Sequence, residues 1–528
     1  MEANSIGRTA LTFDIGTQSA RAILFDRDGK ILGKEQIVYE PAYYSPKLGW
    51  AEQDPDMYYD CMCRSARALK EKQPEAFAAV AGVTVSTIRD TSVCVDEEGV
   101  PLRPAMVWTD KRLAEGSPKL GSLKKLAFAV AGASELVDIN YKKSQCNVIR
   151  EQQPDIWEKT HKYLMLGGYL NYRLTGKFVD AVAGIVGHIP FDNKKRDWKG
   201  PKDIIRPVFD IPREMLPDPV ETGEVMGYIS AKVAEETGIK EGTPVYPSGA
   251  DKACEVIGMG CMRKEQVALS FGTMATANFT SPEYYEMQRF MAPFPSVIPG
   301  WFAPEYEVYR GYWLVSWFYK EFAELEKIAS ETVGRSALEL LNEKLADIPA
   351  GCDGLMFQPY FTPNPSMPMA KGGFVGMTDH HGRVHMYRAV IEGINYGLME
   401  GVRQAEKAGR FKTQEIRLGG GGSQSNEICQ LTANMFGIPV VRVHTHEVTG
   451  LGAAMACFVA MGEYPDFAAA AEGMVHERDR FEPDMDEHAL YKELYEDVWT
   501  DIFDRLAPLY KKTDTIYSKA RKLRCKTQ

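Results

Sequence analysis

Two glycine–threonine turns, each flanked by strand-like apolar runs, constrain the fold of this chain more than any other feature. The first turn lies within Asp14–Thr17, and the second, Gly272-Thr273, follows the apolar run Val267–Phe271. Each pattern predicts a β-hairpin with small residues at its tip, where backbone N–H groups and a hydroxyl can approach an anion. The pair indicates two related domains that face one phosphate-bearing ligand, with two unrelated hairpins as the alternative.

Size and charge set the broad class of protein. A chain of 528 residues is too long for one compact core, so several domains are expected. Its hydrophobic fraction of 45% and charged fraction of 25% are typical of a soluble globular protein. The net charge of -10 provides no basic surface, so we expect no nucleic-acid partner and a phosphate held only by local geometry.

No targeting or membrane segment is predicted. Met1–Arg8 lacks the pattern of a signal peptide, and apolar runs such as Leu451–Met461 are too short to span a bilayer. The cysteines have no disulfide or zinc spacing, which favours reduced thiols and a cytoplasmic location. Histidine metal sites are disfavoured because no cysteine pair or His-Glu-x-x-His pattern accompanies them. The candidate histidines are His380, His381, His385, His444 and His446.

Alternating apolar runs and amphipathic segments predict an α/β fold. Residues 9–40 are predicted as three strands around the first turn, and 54–74 as a helix with Asp54 as its N-cap. We predict a helix-rich region over 114–240 that is broken by Pro, Asp and Gly residues at 187–220, and a charged, helical region from about 466 to the basic end. Further predicted elements are the strands Val80–Val85, Thr91–Asp96, Pro244–Gly249, Glu415–Leu418 and Val440–Val443, and the helices Ala253–Met259 and Asn426–Met435.

Asp14 stands at the end of a buried strand, directly before the first turn. Its carboxylate suits Mg²⁺ held beside ligand phosphates, although an aspartate here can also cap its own turn. Thr17, Gln18 and Arg21 surround it with hydrogen-bond donors, and the Arg21 guanidinium can bind phosphate in bidentate fashion. We therefore interpret this hairpin tip as a metal and phosphate site.

Asp251 and a glycine run each stand where a strand passes into a helix. Asp251 is interpreted either as the N-cap of its helix or as a general base in phosphoryl transfer. The run Gly419–Gly422 can lie flat against a purine or accept a phosphate. It lacks the third glycine of a dinucleotide fingerprint, because Gln424 stands there, and the chain contains no P-loop or protein-kinase signature.

A polar cluster lies near two predicted loop tips. Arg89-Asp90 separates two predicted strands, and Trp108 and Asp110 stand further along the chain. These residues can form a polar cup in which Arg89 and Asp90 bind the hydroxyls of a ligand and Trp108 forms an apolar wall. The alternative is a set of solvated loop tips.

Taken together, these segments resemble the FGGY family of carbohydrate kinases, within the actin-like ATPase-fold superfamily. The most specific match is Gly372–Met377 followed by His385–Glu392, which agrees with the C-terminal signature of the family. Asp14–Thr17 and Phe271–Thr273 are similar to its two phosphate motifs, and Gly419–Asn426 is similar to its adenosine motif.

The resemblance implies two actin-like (ribonuclease H-like) α/β domains with a catalytic cleft between them. The implied domains are 1–255 on the sugar side, 256–465 on the nucleotide side, and a helical extension over 466–528 packed on the second domain. Asp251 would be the catalytic base, and Asp14 with Asp251 would hold Mg²⁺. The residues implied to bind ATP are Thr17, Gln18, Arg21, Gly272, Thr273, Gly311, Gly421, Gly422 and Asn426.

The chain departs from the family pattern at two places. Asn147 and Arg150 stand where the N-terminal signature expects Lys and Trp, and Lys252 stands where Gln or Asn commonly follows the catalytic aspartate. The Lys252 ammonium would either lower the pKa of Asp251 or contact the substrate.

Arg89-Asp90 resembles the Arg-Glu pair of glycerol kinases and autoinducer-2 kinases, and it differs from the Gln-Met-His-Gly of xylulokinases. The shorter aspartate leaves room for a ligand larger than glycerol. We predict a small sugar or polyol substrate: a polyol, a ketose or a linear hydroxyketone. The residues predicted to bind it are Arg89, Asp90, Trp108, Asp110, Asp251 and Lys252.

Two alternative functions and the location of one aromatic segment stay open. A non-catalytic sugar or nucleotide sensor on the same fold, and an actin-like or chaperone-like ATPase, are alternatives to the kinase. The aromatic run Trp301–Phe322 can belong to the core, to the face of a homodimer or to the sugar pocket, with the core favoured.

Overall fold

The computed structural model describes residues 7–362, 367 and 369–524. The first six residues of Met1–Arg8 and the last four of the basic C-terminal end therefore lie outside the described residues. Within the described ranges, no helix combines the length and the apolar character that a membrane span requires.

Strands are distributed along most of the described chain. In chain order they are β1 (Thr9–Ile15), β2 (Ser19–Phe25), β3 (Ile31–Val38), β4 (Glu52–Gln53), β5 (Val80–Thr87), β6 (Ser92–Val95), β7 (Ala105–Met106), β8 (Lys162–Met165), β9 (Val179–Ala181), β10 (Phe191–Asp192), β11 (Asp197–Trp198), β12 (Asp218–Val220), β13 (Gly227–Tyr228), β14 (Pro244–Tyr246), β15 (Gln266–Phe271), β16 (Ala275–Asn278), β17 (Phe294–Pro295), β18 (Phe302–Ala303), β19 (Glu305–Val308), β20 (Met356–Gln358), β21 (Gly373–Val375), β22 (Glu415–Gly419), β23 (Val440–Val443) and β24 (Glu477–Phe481).

Helices follow or cover these strands. In chain order they are α1 (Pro55–Lys72), α2 (Pro74–Ala78), α3 (Ser122–Ala131), α4 (Ser134–Lys143), α5 (Gln145–Gln152), α6 (Pro154–Lys159), α7 (Leu166–Thr175), α8 (Ala231–Thr237), α9 (Asp251–Gly258), α10 (Trp313–Phe322), α11 (Glu324–Val333), α12 (Ala337–Glu343), α13 (Arg383–Gly409), α14 (Asn426–Phe436), α15 (Val448–Ala460), α16 (Phe467–Met474), α17 (Met485–Leu494) and α18 (Thr500–Arg524).

The chain forms two compact units that are interleaved along the sequence. The first unit contains the residues up to Met262 together with Thr280–Ala303 and Glu447–His476. The second contains Arg263–Phe279, Pro304–His446 and the residues from Glu477 onward. The single boundary expected near residue 255 does not describe this division. Helix α15 lies in the second half of the sequence but packs on β1, β5 and α9 of the first unit.

The two units contain central sheets of the same topology. In the first, the order is β13-β14-β5-β1-β2-β3, in which β1, β5 and β14 are parallel and β1-β2-β3 form an antiparallel meander. In the second, the order is β19-β16-β15-β22-β23-β24, in which β15, β22 and β23 are parallel and β15-β16-β19 form the meander. Each Gly-Thr turn therefore joins the first two strands of an equivalent meander, which supports the interpretation of two related domains.

Strand β1 is buried along its whole length because helices cover both faces of its sheet. Leu11, Phe13 and Ile15 pack in one apolar cluster with residues of α1, whereas Ala10 packs in another with residues of α15. Alternate side chains of a strand point to opposite faces, so a strand covered on both faces carries an uninterrupted apolar run. That burial fixes the position of Asp14 near the end of the strand.

Helices α9 and α15 cross at backbone contact. A Cβ on Gly452 would lie 1.9 Å from the carbonyl oxygen of Cys254, and one on Gly258 would lie 1.8 Å from that of Val448. Only glycine at both positions permits this approach, since neither carbonyl can move without bending a helix.

We predict that Gly452→Ala destabilises the protein by about 1–3 kcal/mol, because the added methyl group would overlap the backbone of α9. The neighbouring variant Gly450→Ala is the matched control. Its Cβ would meet the Ile23 Cδ1 atom at 2.8 Å, and that side chain can rotate away. Denaturant unfolding of both variants checks this, and equal losses would contradict the backbone-contact explanation.

The helix-rich region predicted over 114–240 contains α3 to α7 and α8, and the breaks predicted at 187–220 fall in its stretch of short strands and turns. One expectation for secondary structure needs correction. The polar segment Glu477–Phe481 was expected to be helical, but it forms the edge strand β24. Pairing with the buried strand β23 determines its structure, whereas its sequence, Glu-Arg-Asp-Arg-Phe, lacks an apolar run.

Asp180 on β9 is a fully buried carboxylic acid that the sequence did not single out. It is 1% exposed and accepts hydrogen bonds from the Ala181 N–H (2.8 Å) and the Asn171 amide (3.4 Å). Burial raises its pKa to about 7.

We predict a pH-dependent stability difference between Asp180→Asn and the wild type. The pKa of Asp180 in the folded protein, about 7, exceeds its pKa in the unfolded chain. At pH values between these two, only the folded state binds the proton, and the stability that this proton contributes is lost as pH rises through 7. The variant should therefore gain in melting temperature, relative to the wild type, between pH 5 and pH 8, by a few degrees. The exposed variant Asp60→Asn is the control, and a difference that does not vary with pH would refute the prediction.

Candidate active site

The first Gly-Thr turn places a carboxylate and a guanidinium directly opposite each other. Asp14 on β1 is the register partner of Arg21 on β2, and the Arg21 Nη1 donates to Asp14 Oδ2 at 2.7 Å. The predicted hairpin is confirmed. The alternative in which Asp14 caps its own turn is wrong, because among the described residues its carboxylate accepts from Arg21 and from no N–H of the turn, while the Gly16 N–H donates to the Ser19 carbonyl.

Glu447, immediately before α15, extends this pair into a network of charges. Its carboxylate lies 4.0 Å from the Arg21 Nε and 2.6 Å from the Lys34 Nζ, and its side chain is 8% exposed. No local motif in the sequence marks Glu447, because its partners lie more than four hundred residues earlier.

The pKa of Asp14 is raised to about 6. Burial is the main cause, and the charges of Glu447 and Asp251 add to it, while Arg21 acts in the opposite direction. The Asp14 carboxylate is therefore less stable in its ionised form than an ordinary aspartate, and a cation beside it would restore that form.

The tip of the first hairpin is held by neighbouring side chains. The Trp108 indole donates to the Thr17 hydroxyl at 2.9 Å, and the Gln53 amide donates to the Thr17 carbonyl at 2.8 Å. Gln18 is exposed at the tip. Trp108 is 40% exposed. Because it is a predicted substrate residue, its hydrogen bond to Thr17 connects the predicted substrate residues to the predicted phosphate turn.

Asp251 is the first residue of α9, and Ala250 is the N-cap. The N-cap interpretation of Asp251 is therefore wrong. Its Oδ1 accepts from the Lys252 N–H at 2.8 Å and lies 3.8 Å from the Arg89 Nε. Burial raises the pKa of Asp251, and the Arg89 and Lys252 charges only partly offset this rise. The Lys252 ammonium also binds Glu255 at 2.6 Å.

The predicted polar cup is only partly present. Asp90 does not lie free at a loop tip, because His188 binds its carboxylate at 2.8 Å. The Asp110 side chain is 1% exposed and binds Arg112 and the Ala51 N–H. Asp110 therefore shapes the loop below Trp108, and its carboxylate has little surface to offer a ligand.

In the second unit, the Gly272-Thr273 turn is tied to the start of α10. The Gly272 carbonyl accepts from the Tyr312 N–H at 3.0 Å, and Thr273 itself is exposed. The Tyr312 ring stacks on Phe271 with centroids 4.6 Å apart. Gly311 permits this arrangement, because a Cβ there would lie 2.1 Å from the Ala275 nitrogen.

The glycine run forms a tight loop above that aromatic stack. Gly420 has a φ of +81°, and a short 3-10 helix, Gly421–Gln424, leads into α14. Arg442 fastens the loop from β23: it donates to the Ser423 carbonyl at 2.8 Å and to the Asn426 Oδ1 at 2.7 Å. No local motif in the sequence marks Arg442, although it organises the predicted adenosine motif.

The histidine cluster contains one group with metal-ligand spacing among the described residues: Asp353, His380 and His385. The His385 Nδ1 accepts from the Gly382 N–H at 3.2 Å, and its Nε2 lies 3.3 Å from the Asp353 carboxylate. This pattern leaves the His385 proton on Nε2, the atom that faces Asp353. The cluster is therefore accounted for by hydrogen bonds at the start of α13.

Comparison with known proteins defines the class. The model of the FGGY family of carbohydrate kinases, N-terminal domain, matches residues 9–258, and that of the C-terminal domain matches residues 267–461. This chain belongs to the FGGY family of carbohydrate kinases. It is accordingly a phosphotransferase that uses ATP to phosphorylate a sugar or polyol.

Individual relatives are distant but cover nearly the whole chain. A xylulose kinase of Lactococcus lactis is 25% identical over 93% of this chain and 96% of that protein. A glycerol kinase of Thermococcus gammatolerans is 28% identical over 92% of this chain and 95% of that protein. The ligand-bound xylulose kinase structure from Lactobacillus acidophilus has a TM-score of 0.81 at 21% identity, covering 96% of this chain and 100% of that one. The predicted fold class, two α/β domains of the actin-like type, is confirmed.

We predict that two adjacent glycine substitutions separate stability from nucleotide binding. A Cβ on Gly422 would lie 2.2 Å from the Tyr312 ring, whereas one on Gly421 meets no described atom within 4 Å. Gly422→Ala should therefore lower the free energy of unfolding by about 1–3 kcal/mol. Gly421→Ala should leave it unchanged but raise the KM for ATP about tenfold, since the methyl group would project from the loop surface. Unfolding curves and ATP titrations test this, and an unchanged ATP KM in Gly421→Ala would contradict it.

Proposed function

We propose that this kinase transfers the γ-phosphoryl group of ATP to a hydroxyl of a small polyol, ketose or linear hydroxyketone, with Asp251 as the general base. The observation that carries the proposal is the Asp251 carboxylate, which is 33% exposed, raised in pKa and 3.8 Å from Arg89. A carboxylate in this state accepts a proton more readily than an ordinary aspartate and can be reached by a ligand.

In the proposed reaction, Asp251 takes the proton of the reacting hydroxyl as that oxygen bonds to phosphorus. The bond between phosphorus and the leaving oxygen of ADP breaks in the same displacement. Arg89 faces the Asp251 carboxylate, so we assign it the role of orienting the base and partly offsetting its charge.

The residues around the two hairpin tips suit a magnesium nucleotide. Asp14 offers a buried carboxylate that a cation would stabilise, and the exposed Thr273 and Gly421 leave open surface on the second unit. Mg-ATP would supply the phosphoryl group, and its magnesium ion would neutralise part of the phosphate charge. The proposed metal residues are Asp14 and Asp251, and the proposed nucleotide residues are Thr17, Gln18, Arg21, Gly272, Thr273, Gly311, Gly421, Gly422 and Asn426.

The proposed substrate class rests on Arg89, Asp90 and Trp108, which combine charge, hydrogen-bonding groups and one exposed apolar ring. The relatives are named for xylulose and glycerol, a ketose and a polyol, which supports the same class here. Lys252 is retained as a candidate contact beside the base, and Asp110 is assigned a supporting role.

A cytoplasmic location is also part of this proposal. The cysteines among the described residues are all free and buried. Free thiols are typical of a reducing compartment, which supports the expectation drawn from their spacing.

We predict that Asp251→Asn lowers kcat by about 10²–10⁴-fold, because the amide cannot accept the proton of the substrate hydroxyl. Binding of ATP in the absence of magnesium should persist, since the glycine loop of the second unit is untouched and the proposed metal ligand plays no part. A coupled assay of ADP release and a calorimetric titration with ATP measure the two effects. The control is the exposed variant Asp60→Asn, and unchanged turnover in Asp251→Asn would refute the base assignment.

The same assay separates the alternative functions. ATP consumption should depend on one member of a panel of polyols, ketoses and hydroxyketones. A sensor would bind a member of the panel without consuming ATP. An actin-like or chaperone-like ATPase would hydrolyse ATP at a rate indifferent to every member.

A further inference from the structure

The backbone at Asp90 is held in an unusual conformation. Its φ of +48° lies in the left-handed region, which few residues other than glycine occupy without support. The Asp90 N–H donates to the Val186 carbonyl at 3.0 Å, and the Gln145 amide donates to the Asp90 carbonyl at 2.8 Å. Such strain persists only where surrounding contacts fix it, and it is concentrated at functional sites.

The His188 segment fixes the Asp90 side chain. The His188 Nδ1 lies 2.8 Å from Asp90 Oδ2, and the His188 N–H donates to Asp90 Oδ1 at 3.1 Å. Ser144 in turn donates to the His188 carbonyl at 2.8 Å. Gly187 is required for this approach, because a Cβ there would lie 2.7 Å from Asp90 Oδ1.

These contacts determine which nitrogen of His188 faces outward as an acceptor. Burial by itself would raise the pKa of Asp90, but His188 lowers it overall, so the carboxylate is ionised and can only accept. The His188 Nδ1 must then carry a proton, and in the neutral ring Nε2 is an acceptor. This Nε2 has no hydrogen-bond partner within residues 7–362, 367 and 369–524, and the side chain is 31% exposed.

Two adjacent residues, Arg89 and Asp90, connect this histidine to the proposed base. Arg89, the residue before Asp90, has its Nε 3.8 Å from Asp251, and its guanidinium lies over the Phe294 ring at 5.5 Å. Asp251, Arg89, Asp90 and His188 therefore follow one another as a continuous polar series. A ligand whose reacting hydroxyl meets Asp251 would have to extend along that series to bring another hydroxyl to His188.

We infer that His188 is a specificity-determining residue, whose Nε2 accepts a hydrogen bond from a non-reacting hydroxyl of the substrate while Asp90 fixes its ring. This inference rests on the proposed function and deepens it by naming a residue that selects the hydroxyl pattern. The ligand chemistry it requires is a second hydroxyl on a carbon other than the one that is phosphorylated.

The test pairs a substitution in the protein with a deletion in the substrate. In His188→Asn, the amide nitrogen takes the place of Nδ1 and can still donate to Asp90, but the outward acceptor is lost. Steady-state kinetics are measured for the wild type and His188→Asn with the best substrate of the panel and with each of its monodeoxy analogues. The matched control is His161→Asn, because His161 is exposed and its ring packs on Phe178.

We expect His188→Asn to raise the KM for the full substrate about tenfold, the value of one hydrogen bond, with kcat changed far less. One monodeoxy analogue should have the same KM with both proteins, because the lost hydroxyl and the lost acceptor belong to the same bond. His188→Gln, which cannot donate to Asp90 in the same way, should raise KM for every compound.

Equal losses on all analogues would overturn the inference, and so would unchanged kinetics in His188→Asn. A collapse of kcat with an unchanged KM would place His188 on the reacting hydroxyl, which also contradicts it. If the wild type consumes ATP with no compound of the panel, the proposed function itself fails. If instead the wild type turns over a substrate and the kinetics of His188→Asn equal those of the wild type, only the inference about His188 fails.

Discussion

The crossing of α9 and α15 at Gly258 and Gly452 is the constraint on which the first unit depends. Asp251 is the first residue of α9, and Glu447 immediately precedes α15. The backbone contact between the helices therefore fixes two carboxylates whose charges act on the Asp14–Arg21 pair. Because the contact admits no Cβ, the helices cannot slide without losing packing, and the charged groups keep their spacing.

What the sequence could predict was local. The hairpins around Asp14 and Gly272 and the loop at Gly419–Gly422 follow from apolar runs that end in small residues, and the structure contains them. Asp251 was found for the same reason, since a strand end passing into a small-residue helix is visible within ten residues or so. The paired turns indicated two related domains, but the strand order that their sheets share was not visible, because topology can persist after its side chains have diverged.

The residues of the site that were missed share one physical property: each acts through a partner on another element of secondary structure or in another part of the chain. Glu447 binds Lys34, His188 binds Asp90, and Arg442 on β23 binds Asn426 at the start of α14. The prediction that Asp110 binds the substrate was weakened for the opposite reason: its carboxylate is bound by the nearby Arg112 and buried. Spacing alone cannot distinguish an acceptor offered to a ligand from one already occupied by the fold.

The carboxylates of Asp14 and Asp251 each lie beside one arginine, and the balance of these charges bears on the proposed magnesium nucleotide. Asp14 faces Arg21 and Asp251 faces Arg89, yet both carboxylates have raised pKa values, so neither guanidinium fully offsets burial. In the magnesium site proposed above, a divalent cation would add the positive charge that Arg21 and Arg89 do not fully supply to these two carboxylates. Arg21 binds Asp14 at 2.7 Å, and under the proposed function the same guanidinium would pass to a phosphate of the nucleotide while the cation took its place beside Asp14. The hairpin tip would then replace the ion pair between Asp14 and Arg21 by one between Arg21 and a phosphate, and each charged group would keep a partner.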